Sequence, residues 1–364
     1  VGKKKTQTSS DVSFNEFMKR TYGEGLVVPA SALVARPRPI LPTALSLDIA
    51  LAGGIPEGTI VLISGKPKVG KTTLCLHVLA NAIQRGRKAA YFDIERRCSR
   101  ELINTIRGLD REKLDLVKST KEKIFTAQEW FQNIERFVKS EPGGVGVIDS
   151  VAMLSTLAEQ TEATGDNTDM SGVPKLMSSF LRKIKDICDI NGCILIFITQ
   201  YQTNRDPASR KKFEEKGGLA VQYACSTWIN VDWAKLWDKD TAKQAPLGHD
   251  IMCTIRASAL GPPYRPCAIP LRYGEAIDAA KDVATHAENL GLIEKAGAWY
   301  SIPSLGDVKF QGTEALRKFL LENSEAMACL ESQVRTSILG DSGASATTQR
   351  EDSEVESGEV PAAG

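Results

Sequence analysis

Gly65-Lys66-Pro67-Lys68-Val69-Gly70-Lys71-Thr72-Thr73 decides the reading of this chain. The stretch fits G-x-x-x-x-G-K-[ST], the phosphate-binding P-loop pattern. Before it, Thr59-Ile60-Val61-Leu62-Ile63 is an apolar, β-branched run of strand length. After it, Leu74, Val78, Leu79, Ala82 and Ile83 recur at helical spacing. Strand, glycine loop and helix is the context this pattern needs. Gly65 and Gly70 let the backbone turn tightly and bring its N–H groups against phosphate oxygens. The helix N-terminus adds partial positive charge. In such a loop Lys71 would reach the β- and γ-phosphates of a nucleotide, and the Thr72 hydroxyl would hold Mg²⁺. Lys66, Pro67, Lys68, Val69 and Thr73 complete the expected cradle.

Downstream, Ala89-Ala90-Tyr91-Phe92-Asp93 reads as a second strand, followed by Ile94-Glu95. Thr126 opens an amphipathic helix with Trp130, Phe131, Ile134, Phe137 and Val138 on one face. Val145-Gly146-Val147-Ile148-Asp149-Ser150 is an apolar strand ending in an acid, which places Asp149 on the Mg²⁺ side of the site. A long helix runs through Leu176, Phe180, Leu181, Ile184 and Ile187, with Lys175, Arg182, Lys183 and Lys185 on its exposed face. Cys193 to Ile198 is fully apolar, as in a central parallel strand, and leads into Thr199-Gln200. Thr227–Trp233, Asp250–Arg256 and Cys267–Arg272 read as further strands. This alternation predicts an α/β fold with a mostly parallel sheet.

Neighbouring strand ends of such a sheet converge on the loop after the first strand. Glu95 then fits a general base that orients water for attack. A surface Glu at a strand end is the alternative, and chain order and spacing favour the base. Gln200 fits a sensor of the γ-phosphate that signals to the loop beginning at the next residue. That loop, residues 201–218, carries Arg205, Arg210, Lys211, Lys212 and Lys216 and closes on Gly217-Gly218. With the polar loop at 157–172 it forms a basic lining suited to nucleic-acid phosphates. Met170 and Phe213 are the apolar candidates for base contact, although core packing is the commoner role of each.

Apolar residues make up 42% of the 364 and charged residues 25%, an ordinary globular balance. No run approaches the ~18 apolar residues of a membrane span. The basic start, Lys3-Lys4-Lys5, lacks the apolar stretch of a secretory signal, so a cytoplasmic location is expected. Eight scattered cysteines without a C-x-x-C pair predict buried reduced thiols rather than zinc. From Asp341 onward six acids face one base, giving −5, so the remainder carries +6 of a net +1. A mildly basic body with an acidic tail suits a polyanionic partner; a solubilising disordered tail is the plainer reading. Ser13 caps an expected short helix with Phe14, Phe17, Met18 and Tyr22 as its stripe, which docks on its own domain or on a neighbour. The expected layout is an N-terminal helix and arm at 1–35, a core at 36–275 that opens on a proline-rich linker at 36–43, a small domain at 276–340 and the tail at 341–364.

In several separated places the chain resembles the RecA recombinase family. Ser46-Leu47-Asp48-Ile49-Ala50-Leu51 and Gly65–Thr73 resemble its opening, and Asp93-Ile94-Glu95 its catalytic-glutamate segment. Ile148-Asp149-Ser150-Val151-Ala152 is similar to its Walker B strand, and Phe197-Ile198-Thr199-Gln200 to its switch glutamine. Tyr273-Gly274-Glu275 resembles a segment at the nucleotide site. The most specific likeness is Leu292-Ile293-Glu294-Lys295-Ala296-Gly297-Ala298-Trp299-Tyr300-Ser301, at the start of the family's C-terminal domain. The resemblance implies a RecA-like P-loop ATPase core with a short N-terminal helix and a small α/β C-terminal domain. It implies an ATP-dependent filament on single-stranded DNA that pairs with a homologous duplex and exchanges strands. Phe14, Phe17 and Met18 would pack on the adjacent subunit. Met170 would wedge between base triplets, while Lys175, Arg182, Gly217 and Gly218 would contact the DNA backbone.

The chain also departs from the family pattern. Arg256-Ala257-Ser258-Ala259 stands where a pair of lysines usually reaches the neighbour's ATP, leaving Arg256 to act alone. Arg96-Arg97-Cys98-Ser99-Arg100 lacks the acid and aromatic that usually face adenine, and Arg205 stands where an apolar wedge is expected. Such divergence suits a phage-encoded or otherwise specialised member, working in a bacterial or infected cell. A non-hydrolysing accessory protein is the alternative that the missing lysines favour. A ring helicase is a weaker one, because it normally carries a separate domain before the core.

Overall fold

The computed structural model describes residues 12–35, 38–157, 172–203, 213–216, 219–237, 239–240, 245–306 and 308–340. The chain divides into two compact units at Pro39 and Ile40. In the first, α1 (Phe14–Tyr22) is capped by Ser13, whose hydroxyl accepts the Glu16 N–H. Phe14, Phe17 and Tyr22 are exposed, and the Phe17 and Tyr22 rings meet edge to face. A short α2 (Ala30–Ala35) follows.

The second unit begins where the proline-rich linker was expected to continue. Instead β1 (Ile40–Leu41) pairs antiparallel with β2 (Ile55–Pro56). Pro42 lies just past β1 and so removes no ladder donor. Between them α3 (Leu45–Leu51) ends at Ala52 in a left-handed conformation. Next come β3 (Thr59–Gly65), α4 (Lys71–Gln84), β4 (Ala89–Asp93), α5 (Arg100–Thr105), β5 (Leu114–Val117), α6 (Ala127–Ser140) and β6 (Val145–Asp149). Thr126 and Glu129 form a full capping box on α6. The chain continues with α7 (Gly172–Asn191), β7 (Ile194–Ile198), β8 (Gln200–Thr203), β9 (Phe213–Lys216), α8 (Leu219–Ala224) and β10 (Thr227–Leu236). The small pair β11 (Lys239–Asp240) and β12 (Ala245–Pro246) precedes β13 (Gly248–Ala257), β14 (Pro266–Arg272) and β15 (Ala276–Ile277).

Nine strands form one sheet in the order β15-β14-β13-β10-β3-β7-β6-β4-β5. From β5 to β10 every pairing is parallel, and from β10 to β15 every pairing is antiparallel. The parallel part is buried on both faces, which explains its continuous apolar runs. Val61, Ile63, Ile196 and Ile198 point into one core with α4. Ile60, Leu62, Leu195 and Phe197 point into the other with α6 and α7. Each such side chain contributes about 1.5–3 kcal/mol through burial.

The C-terminal elements are α9 (Ala279–Asn289), a three-stranded sheet of β16 (Glu294–Ala296), β17 (Trp299–Ser301) and β18 (Lys309–Gln311), then α10 (Gly312–Glu322) and α11 (Ser324–Leu339). Their core of Ile293, Tyr300, Ile302, Leu316, Leu330 and Val334 takes in Leu45 from α3. Two buried polar clusters fasten α3 to these helices. Asp48 accepts from the Thr43 N–H at 2.8 Å and from Arg335 Nη2 at 2.7 Å. Asp282 accepts from the Ser46 N–H at 3.1 Å and from the Ser46 hydroxyl, which also lies 2.9 Å from His286 Nε2. Among the cysteines, Cys75, Cys188, Cys193 and Cys253 are buried and Cys329 is exposed, so the expectation of buried thiols holds only in part.

Candidate active site and nucleic-acid surface

The phosphate loop turns at Gly65 and Gly70. Gly65 has φ +147°, and a Cβ there would lie 2.1 Å from the Val231 carbonyl oxygen. Gly70 has φ +98° and caps α4; its Cβ would meet Ile251 Cδ1 at 2.7 Å. Lys66, Pro67 and Lys68 are exposed at the loop's crest, and Val69 turns inward. Lys71 is 5% exposed and donates from Nζ to the carbonyls of Gly65, at 3.0 Å, and Lys66. Burial pulls its pKa down to about 8, with nearby Asp149 opposing the shift.

Asp149 ends β6 beside the loop. Its Oδ2 accepts from the Thr72 hydroxyl at 2.8 Å and from the Tyr91 hydroxyl at 2.6 Å. Burial raises its pKa, and those hydrogen bonds oppose the rise. The two hydrogen-bond partners of this buried carboxylate are neutral hydroxyls. Thr72 and Asp149 thus offer hard oxygen donors beside the phosphate loop, a set that fits Mg²⁺. No cluster of three His, Cys, Asp or Glu able to hold a metal exists among the described residues, so the remaining ligands would be phosphates and water.

Glu95 follows β4, and its N–H donates to the Asp149 carbonyl at 2.9 Å. Gln200 Nε2 donates to both Glu95 carboxylate oxygens, at 2.8 and 2.9 Å. Ser150 Oγ donates to Oε2 at 3.1 Å, and Arg97 pairs with Oε1 at 2.8 Å. Next to this group opens a cavity of about 350 Å³. Gly70, Lys71, Thr72 and Thr73 line it with Asp149, Gln200, Arg97, Tyr273 and His249. The phosphate-loop residues, the acids and Gln200 therefore come together at the C-terminal ends of β3, β4, β6 and β7, as a parallel sheet dictates. Arg256 is exposed on β13 and is not part of the cavity wall.

The sequence predicts a loop over residues 201–218, yet β8 and β9 pair as a two-stranded ladder from Gln200↔Lys216 to Thr203↔Phe213. The ladder is anchored to the core, because the Tyr201 hydroxyl donates to Asn230 Oδ1 on β10. Beside it, Trp228 Nε1 donates to Ser64 Oγ at 2.7 Å, at the end of the phosphate-loop strand. Lys175 and Arg182 are exposed on α7. Met170, Arg205, Arg210, Lys211, Lys212, Gly217 and Gly218 lie outside the described residues.

Several participants escaped the sequence reading. Tyr91 and Ser150 looked like core-strand residues, and Arg97 like a departure from pattern. His249 gave one usable signal, a polar residue at the start of an alternating strand.

Comparison with known proteins agrees with this geometry. The RecA N-terminal domain family matches residues 13–278, and the RecA C-terminal domain family matches residues 281–339. The chain is similar to the protein named "Protein RecA" of Geobacter metallireducens, with 33% identity over 322 residues, 87% of this chain and 91% of that one. The same-named protein of Aquifex pyrophilus is 31% identical over 328 residues, 89% and 90% of the two chains. That of Cytophaga hutchinsonii is 29% identical over 323 residues, 88% of each. With the two domain families matched over residues 13–278 and 281–339 and the phosphate loop, Glu95, Asp149 and Gln200 assembled at one sheet edge, the chain belongs to the RecA family.

Proposed function

We propose that this protein is an ATP-dependent DNA recombinase. It assembles as a helical filament on single-stranded DNA, pairs with a homologous duplex and exchanges strands, hydrolysing ATP in response to DNA. The observation that carries this reading is the double hydrogen bond from Gln200 to Glu95 at the wall of the phosphate-loop cavity.

In this mechanism the loop N–H groups and Lys71 bind and orient the phosphates. Bound Mg²⁺, held by Thr72 and Asp149, supplies charge that offsets the developing negative charge on phosphate oxygens. Glu95 accepts the proton of the attacking water. While Gln200 and Arg97 occupy its oxygens, the carboxylate is not free to do so. A γ-phosphate that draws Gln200 away releases Glu95 and moves the start of β8. The basic segment between β8 and β9 thereby reports ATP to DNA. Lys175, Arg182, Arg205, Arg210, Lys211 and Lys212 neutralise DNA phosphates, with Gly217 and Gly218 at the backbone and Met170 against the bases. Arg256, exposed and apart from its own cavity wall, reaches the ATP of the adjacent subunit, and Phe14, Phe17 and Met18 dock on that neighbour.

ATP hydrolysis with and without single-stranded DNA, followed by electron microscopy, tests the reading. DNA-stimulated turnover with helical filaments is expected. Closed rings would indicate a helicase, and DNA binding without turnover an accessory protein.

A further inference from the structure

Tyr273 and Gly274 belong to the cavity wall and sit at the tip of the β14–β15 hairpin, between Arg272 and Ala276. With phosphates on Lys71 and Thr72, this tip is wall left to face the nucleoside. Its backbone is not relaxed: Ala276, a residue with a Cβ, has φ +59°. Such a conformation persists where the surroundings hold it. Within the core, the Tyr273 N–H donates to the Leu247 carbonyl at 3.0 Å and the Glu275 N–H to the Arg272 carbonyl at 3.1 Å. The Tyr273 side chain adds a contact with His249 but is half exposed.

The rest of the hold comes from the C-terminal elements. Glu314 and Arg317 lie one turn apart on α10 and so share a face. Glu314 accepts from Arg272 Nη2 at the start of the tip, and Arg317 Nη2 donates to Glu275 Oε2 at its end. Asp278 joins the two arginines. Its Oδ2 accepts from Arg272 Nε at 3.1 Å and from Arg317 Nε at 2.7 Å, while its Oδ1 accepts the Lys281 N–H at 3.1 Å and caps α9. The Asp278 carboxylate is sealed from solvent, and the Arg272 and Arg317 side chains are only 12% and 14% exposed. Pairs so placed are screened far less than surface pairs. Arg107 also reaches Glu275 Oε2, at 3.2 Å, but that pair is open to water and holds little.

We propose that Arg317, with Glu314 beside it, is a positioning residue: α10 grips the hairpin tip at both ends and holds Tyr273 and Gly274 where a nucleoside meets them. The inference rests on the nucleotide reading of this cavity. It makes the seating of α10 a condition for nucleoside binding, although among the described residues none beyond Ala276 lines the cavity.

Calorimetric binding of ATP and of inorganic tripolyphosphate to the full chain, each with Mg²⁺, tests it, because only ATP reaches the hairpin tip. Arg317→Met keeps the aliphatic stem and removes the grip. ATP affinity should fall about fivefold, the scale of ordering lost from a preformed wall, while tripolyphosphate affinity stays within about twofold. In a Tyr273→Ala background the wall is already lost, so Arg317→Met should lower ATP affinity by no more than about twofold. Where Arg317→Met does not fold, Glu275→Ala frees the same end of the tip and leaves Arg317 on Asp278; the same fall for ATP alone is expected. Arg107→Met, which takes only the exposed pair from Glu275, should leave ATP affinity within about twofold. ATP affinity unmoved by the freed tip, an equal loss for both ligands, an undiminished loss in Tyr273→Ala protein, or a full loss from Arg107→Met overturns the inference while the nucleotide reading stands. Wild-type protein that binds no ATP overturns both.

Discussion

Gln200 Nε2 donates to both carboxylate oxygens of Glu95, at 2.8 and 2.9 Å, although the two residues are 105 positions apart. Glu95 comes from the end of β4 and Gln200 opens β8, so the contact joins the acid beside the phosphate loop to the basic segment. A residue that hydrogen-bonds the proposed base and starts β8 links the two. Gln200→Ala frees Glu95 from this hold, so it should bind ATP with affinity within about twofold of wild type while the ratio of turnover with DNA to turnover without it falls about tenfold or more. Steady-state hydrolysis with saturating single-stranded DNA checks this; undiminished stimulation contradicts it.

Lys71 has lost part of its proton affinity to burial, with a pKa near 8. Phosphate oxygens favour its charged form and pull the pKa back up. Nucleotide binding should then take up protons at about pH 8.5, whereas Lys71 is already charged at about pH 6. Calorimetry in buffers of different ionisation enthalpy measures the uptake. The same small uptake at both pH values would mean that Lys71 does not meet phosphate.

Asp282 is buried against the Ser46 hydroxyl, with His286 Nε2 3.8 Å from its Oδ1, and burial raises its pKa from 3.8 to about 7. The folded state thus holds this proton more tightly than the unfolded state. The stability it contributes is complete below about pH 4 and is lost as pH rises through about 7. Asp282→Asn should remove a loss on the order of 3 kcal/mol across that window. Urea unfolding of both proteins from pH 5 to pH 8 compares the slopes. Parallel slopes would show that Asp282 does not titrate as its burial dictates.

Lys175 and Arg182 are exposed on α7, which starts at Gly172. If each neutralises one DNA phosphate, replacing both with Gln should reduce the slope of log affinity against log salt by about 1.4 for single strands. Fluorescence anisotropy of a labelled oligonucleotide over a salt series measures it. A slope equal to wild type places the DNA elsewhere.

Much of the site was legible because each part ends a patterned strand. Gly65, Glu95, Asp149 and Gln200 follow apolar runs of strand length, and a parallel sheet brings such ends to one edge. Residues joined only across the fold were not legible. Tyr91 points from a buried strand to Asp149, and no local pattern separates it from a core aromatic. Leu45–Leu51 is only seven residues long, so its helical period is too short to read; α9 and α11, more than 230 residues later, hold it through Asp282 and Arg335. The β8 and β9 ladder escaped because its strands, Gln200–Thr203 and Phe213–Lys216, are short and mostly polar and carry no apolar run. Arg205, Arg210, Lys211 and Lys212 of the basic segment lie outside the described part of the chain.

The central claim is that Glu95 is the base whose work DNA commands through Gln200. Single-turnover ATP hydrolysis by Glu95→Gln, with and without single-stranded DNA, tests it most directly. The account predicts retained ATP binding and filament assembly with turnover lowered about a hundredfold or more in both conditions. DNA-stimulated turnover equal to wild type would contradict it.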